Sequence, residues 1–150
     1  MLLLAAALIA GTVTSVHDGD TFRIGDTRVR LAAVDANEMN GRCHNECASM
    51  SPQASRDNLA RLALGQRVEC EQTGTSYNRV VAFCRVGKVD LSCAQVKAGA
   101  AIIWDKYDRG GAFRRRCLGR WWQSVFWVFG PKPDRDGARP VTAILNGERL

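Results

Sequence analysis

The chain has 150 residues, 46% of them hydrophobic and 24% charged, and carries a formal net charge of +6. That length buries a core of its own in one domain, and the composition excludes global disorder. The positive surplus favours anionic partners, nucleic acid or an anionic membrane surface.

Met1 to Ala10 is an uninterrupted apolar run. It is too short to span a bilayer as a helix and resembles the apolar region of a secretory signal, with Ala5-Ala6-Ala7 as small residues for cleavage, although no basic residues precede it. The alternative for this run is a buried first strand or helix. We therefore divide the chain into a signal-like segment at 1–11, a domain at 12–130 and a polar tail at 131–150.

Thr12 to Asp18 alternates and is rich in β-branched residues, as a strand requires. Thr21–Ile24 and Arg28–Val34 flank the turn-forming Gly25-Asp26-Thr27, which predicts a hairpin. Residues 36–50 are polar and irregular and read as a long loop. Ser51 caps a helix with Pro52 at its first position, Leu59, Leu62 and Ala63 follow helical spacing, and Gly65 supplies a left-handed stop. Arg67–Glu71 and Val80–Arg85 are two further strands about a turn region at Thr73-Gly74-Thr75, and Asp90 caps a short helix ending at Gly99. Phe113, Cys117, Trp121, Val125 and Phe129 recur every fourth residue, opposite Arg114, Arg115, Arg116 and Arg120, so a wide aromatic helix face is expected. That face either packs on the domain or lies on a membrane surface. The pattern as a whole is α+β, mainly β: a five-stranded OB-type barrel with about three helices.

Six cysteines, Cys43, Cys47, Cys70, Cys84, Cys93 and Cys117, stand beside the signal-like leader. An even count in that setting reads as a disulfide framework in a secreted or periplasmic protein. The competing use is a zinc ion on Cys43, His44 and Cys47, but adjacent ligands suit a tetrahedral ion poorly and no second paired-cysteine knuckle appears. Cys70 and Cys84 lie in consecutive strands expected to pair, so they are the expected first bridge. Cys43–Cys47 would clip the long loop, and Cys93–Cys117 would tie two helices.

Three acids and two arginines carry the chemistry. Asp20 follows the first strand through Gly19, and Asp35 ends the third, so in one barrel both carboxylates can meet at a rim. Two carboxylates, a backbone carbonyl and waters suit calcium, which accepts six to eight oxygens. Glu38, three residues on, is placed to deprotonate an attacking water. Arg30 and Arg79 can grip one phosphate and stabilise its added charge. Tyr77 and Tyr107 can stack on bases or donate to a terminal phosphate. His17 precedes the Asp-Gly-Asp turn, but strand alternation turns it away, so it reads as structural.

With these blocks in order, the chain resembles the staphylococcal nuclease (thermonuclease) family. The likeness rests on Val16-His17-Asp18-Gly19-Asp20-Thr21, on Arg30 through Val34-Asp35-Ala36-Asn37-Glu38, on Tyr77-Asn78-Arg79-Val80-Val81-Ala82, and on Val96-Lys97-Ala98-Gly99-Ala100-Ala101. It covers about residues 12–107. The resemblance implies an OB-type barrel with three helices that hydrolyses DNA and RNA with calcium (Ca2+). By position it implies Asp20, Asp35 and the carbonyl of Ala36 as metal ligands, Glu38 acting on the water, and Arg30 and Arg79 on the phosphate. Asn37 stands where the family has proline, which suggests a looser loop, and Thr75-Ser76 replaces an Asp-Lys pair expected near substrate phosphate.

The expected function is therefore a monomeric calcium-dependent nuclease acting on DNA and/or RNA. The alternative is an OB-type nucleic-acid-binding module without effective turnover. A membrane-associated role through residues 112–130 is the third reading.

Overall fold

The computed structural model describes residues 7–44, 46–119, 132–133 and 140–141. The chain divides into two compact units, Met1–Phe113 and Arg114–Leu150.

The first unit begins with strand β1, Leu8–Val16, followed by β2, Thr21–Ile24, and β3, Thr27–Leu31. These pair antiparallel in sequence order, and Gly25-Asp26 closes the β2–β3 hairpin with Gly25 at φ 56°. A short β4, Val34–Ala36, precedes the long loop and helix α1, Pro52–Ala63. Strands β5, Arg67–Ser76, and β6, Arg79–Val86, form the next hairpin, extended by β7, Val89–Asp90. Helix α2, Leu91–Lys97, and strand β8, Ala101–Ile103, follow, and β8 pairs antiparallel with β4.

Two non-local pairings close the sheet. β1 pairs antiparallel with β5, and β3 pairs parallel with β6, giving the ring β1-β2-β3-β6-β5 back to β1. A five-stranded Greek-key barrel with a helix between its third and fourth strands is the OB arrangement, and the mixed α/β architecture matches the expected class. Closure gives each of the five described barrel strands a partner on both sides. Inside lie Val13, Phe22, Val29, Leu31, Val68 and Ala82, with Leu59 of α1 and Leu91 of α2 capping the core.

Several boundaries differ from the sequence reading, each for a tertiary reason. β1 starts at Leu8 rather than Thr12, because Leu8 to Gly11 pair with Glu71 to Val68 of β5. The expected strand Arg28–Val34 is broken at Ala32-Ala33. Ala33 takes φ 63°, a left-handed conformation unusual for a residue with a Cβ, so β3 stays on β6 while β4 turns to β8. The Ser92 hydroxyl donates to the Ala32 carbonyl and the Trp104 amide to the Ala33 carbonyl, fixing the break. Thr73-Gly74-Thr75 is not the turn: β5 passes through it with a bulge, and the chain reverses at Tyr77-Asn78, with Tyr77 at φ 55°. Strand β8 had no counterpart in the sequence reading.

The helix signals hold. The Ser51 side chain accepts from the Ala54 amide, Pro52 opens α1, and Gly65 at φ 75° follows it. Asp90 accepts from the Cys93 amide at the start of α2, and Gly99 at φ 76° follows its end.

In the second unit, residues 114–119 are helical, and a short pair joins β9, Lys132–Pro133, to β10, Pro140–Val141. Most of the expected aromatic helix, from Arg120 to Phe129, lies outside the described residues, as does most of the 131–150 tail. Among the described residues no helix is long and apolar enough to cross a membrane.

Candidate functional site

The Asp18-Gly19-Asp20 turn joins β1 to β2 and is seated against the helices. A Cβ on Gly19 would collide with the Ser55 hydroxyl and press on Ala36, so only glycine lets the turn sit this close to α1 and β4. The fully buried Gln95 of α2 donates to the Gly19 carbonyl at 2.6 Å and the Ser55 carbonyl at 3.1 Å, and accepts from Asn58. Ser55 in turn donates to the Ala100 carbonyl at 2.6 Å. Satisfied buried networks of this kind rigidify what they hold. Within the turn, the Asp20 amide donates to Asp18 Oδ1 at 3.1 Å.

Asp20 is thereby brought to β3 and β4. Its Oδ2 accepts from the Ala36 amide at 2.9 Å, and its Oδ1 accepts from the Thr21 hydroxyl at 2.9 Å. Arg30 joins the two expected metal acids: one guanidinium nitrogen lies 3.3 Å from Asp20 Oδ1, and the other donates to Asp35 Oδ1 at 2.8 Å. Asp20 and Asp35 are 2% and 3% exposed, and Arg30 is buried with them. Asp20, Arg30, Asp35 and Ala36 thus form one cluster.

Its electrostatics are unbalanced. Burial pushes the Asp20 carboxyl up from 3.8 to about 7, the Arg30 charge opposes this, and the nearby Asp18 adds to it. Burial alone would lower the Arg30 pKa, but Asp20, Asp35 and Asp18 together raise it. Three buried acids, Asp18, Asp20 and Asp35, thus act on the one guanidinium of Arg30. Such a surplus of carboxylate oxygen suits a hard cation, so the donor set is compatible with calcium. All four oxygens of Asp20 and Asp35 already have a partner in the described structure. Among the described residues no three His, Cys, Asp or Glu side chains form a ready metal cage.

The remaining expected residues are not in this cluster. Glu38 is half-buried at the head of the long loop, with its backbone closing a turn to Gly41 and Arg42, and its carboxylate makes no ion pair among the described residues. Arg79 opens β6 and donates to the Ser76 hydroxyl at 3.5 Å. The parallel register sets Arg30 opposite Val81, so Arg79 falls on the same sheet face as Arg30, one diagonal away. Tyr77 is 98% exposed at the hairpin tip. Tyr107 is exposed and packs edge-on to Trp104 at 4.7 Å. His17 is exposed.

Two residues that the sequence reading did not assign to this site stand beside it. His44 places Nδ1 3.2 Å from Asp35 Oδ2 and stacks on Trp104 at 5.2 Å, and the Arg30 guanidinium lies 5.5 Å from the same indole centroid. The only sequence signal for His44 was its place beside Cys43, and for Trp104 its nearness to Tyr107. Asn37 also differs from expectation. Its side chain donates to the Ala48 and Met50 carbonyls and accepts from the Ala48 amide, pinning the far end of the loop instead of loosening it.

Cys43–Cys47 and Cys70–Cys84 are bridged, Cys93 and Cys117 are each disulfide-bonded, and no described cysteine is free. No family model matches the chain, and no curated protein matches it. What stands is an OB-type barrel with about three helices, a fold that serves nucleic-acid-binding modules and has enzymatic members.

Proposed function

We propose that this protein binds nucleic acid on its OB-type barrel and hydrolyses phosphodiester bonds at the Asp20–Arg30–Asp35 cluster, with calcium as cofactor. The observation that carries the reading is the convergence of two buried carboxylates, one from the β1–β2 turn and one from β4, on one guanidinium, with Arg79 on the same sheet face. A buried group with surplus negative charge costs stability unless a cation or further donors offset it.

Asp20, Asp35 and the Ala36 carbonyl would hold the ion, which supplies positive charge to the attacked phosphate and acidifies water. Arg30, released from part of its carboxylate contact by phosphate, makes two-point bonds to its oxygens. Arg79 joins it from β6 and offsets the charge gained in the transition state. Glu38, at the head of the loop and without an ion pair among the described residues, accepts the proton of the attacking water. Tyr77 and Tyr107 offer exposed rings for flanking bases.

A second reading, a nucleic-acid-binding module with little or no turnover, is favoured by two observations. Arg30 is already committed to Asp20 and Asp35, and no ready metal cage exists among the described residues. Digestion of plasmid and RNA with calcium, magnesium or chelator, alongside anisotropy of a labelled oligonucleotide, separates the two. Cleavage with calcium but not with magnesium alone supports the hydrolase, because the smaller ion demands a strict octahedron. Binding without cleavage supports the module, and neither binding nor cleavage rejects both. We further place the protein outside the cell or in the periplasm, a reading supported by its oxidised cysteines.

A further inference from the structure

The long loop between β4 and α1 brings one imidazole onto an otherwise buried carboxylate. Asp35 has two oxygens, and Arg30 takes Oδ1 at 2.8 Å while His44 faces Oδ2 at 3.2 Å. His44 is 46% exposed at its side chain, so burial does not hold it there. Two other features do. It stacks on Trp104 with ring planes 26° apart, and the Cys43–Cys47 bridge, with a Cα separation of 5.2 Å, closes the loop around it. Trp104 is itself fixed, because its amide donates to the Ala33 carbonyl at the β3–β4 break. Asp35 thus has a rigid arginine on one oxygen and a clipped loop residue on the other.

We propose that His44 is a positioning residue for Asp35, and that the Cys43–Cys47 disulfide sets metal affinity by keeping His44 in place. This rests on the proposed reading of Asp35 as a metal ligand. The Nδ1–H of the neutral ring suffices to donate to Oδ2, so the effect does not require a charged imidazole. With a donor on each oxygen, the Asp35 carboxylate loses rotational freedom about its terminal torsion, and the second lone pair of each oxygen keeps a defined direction toward a cation. Groups that hydrogen-bond a ligating side chain commonly change metal affinity about 10–100-fold when removed. Reducing the bridge frees the loop, removes the imidazole and lowers affinity by the same route. The loop is then a redox-sensitive control on the metal site.

The test is terbium binding to the oxidised full-length protein, followed by luminescence sensitised by tryptophan, with calcium competition to give the calcium affinity. His44→Ala is expected to weaken calcium binding about tenfold or more, and His44→Gln, whose amide can still donate, to recover part of the loss. The Cys43→Ser/Cys47→Ser variant is expected to weaken binding similarly, and adding His44→Ala to it to cost little more. Equal affinity in the parent and His44→Ala overturns this inference and leaves the metal-site reading intact. Additive losses in the triple variant overturn the role of the bridge acting through His44. If the parent binds neither ion, the metal-site reading fails and this inference with it.

Discussion

The Arg30 guanidinium lies between two carboxylates instead of one, inside a cluster with more negative than positive charge. Replacing it by lysine keeps the charge but leaves one ammonium to do the work of a planar fork. Arg30→Lys is therefore expected to cut cleavage at least tenfold and to lower the unfolding midpoint while the protein still folds, as digestion rate and melting curve would show. Glu38 makes no ion pair among the described residues, so Glu38→Gln is expected to spare the fold and cost about two or more orders of magnitude in rate. Parental rates in both variants would put the chemistry elsewhere. Asp20 gives a pH prediction. Its folded pKa is raised from 3.8 to about 7, so between those values the native state keeps a proton that the unfolded chain has released. The native state thus binds more protons, and the Asp20 contribution, full below the unfolded value, is lost as pH rises through the folded one. In urea melts with chelator, the stability of the parent relative to Asp20→Asn should fall between about pH 4 and about pH 7. A flat difference would show that Asp20 stays ionised in the folded protein.

The element that matters most is the short turn between β1 and β2. Its position is set by α1 and α2, through Gln95 and Ser55 holding Gly19. Gly19→Ala would drive a methyl into the Ser55 hydroxyl and Ala36, and is expected to cost about 1–3 kcal/mol and to displace Asp20. Denaturant unfolding measures the first effect and terbium binding the second; an unchanged midpoint would show that the helices yield. The turn residues and the caps at Ser51 and Asp90 were legible in the sequence because they act within a few residues. The break at Ala32-Ala33 was not, because it depends on β8 and on Ser92, distant in sequence. The bulge in β5 was hidden likewise: Thr73-Gly74-Thr75 reads as a turn locally, and only pairing with β6 carries it through as strand.

On the scale of the molecule, the barrel is closed by β1–β5 and β3–β6 and stapled across the β5–β6 hairpin by Cys70–Cys84. Both sulfurs are fully buried or nearly so, and the bridge joins directly opposed residues. Changing both cysteines to alanine is expected to cost about 2–4 kcal/mol, read from denaturant unfolding. A peptide map of exported protein should return Cys43–Cys47 and Cys70–Cys84, and we expect Cys93 and Cys117 to be joined. Free thiols there would argue against an oxidising destination.

By itself the sequence determined most strand and helix types, the turn glycines Gly25, Gly65 and Gly99, the even cysteine count and the identity of the acids and arginines. All of these depend on residue chemistry and short-range spacing. Only the tertiary structure decided that Asp20, Arg30 and Asp35 share one buried cluster, that Glu38 makes no ion pair with it, and that His44 and Trp104 belong beside it. Their meeting depends on barrel closure, the Ala33 kink and the folded-back loop. Each joins residues whose separation along the chain exceeds the reach of any local pattern.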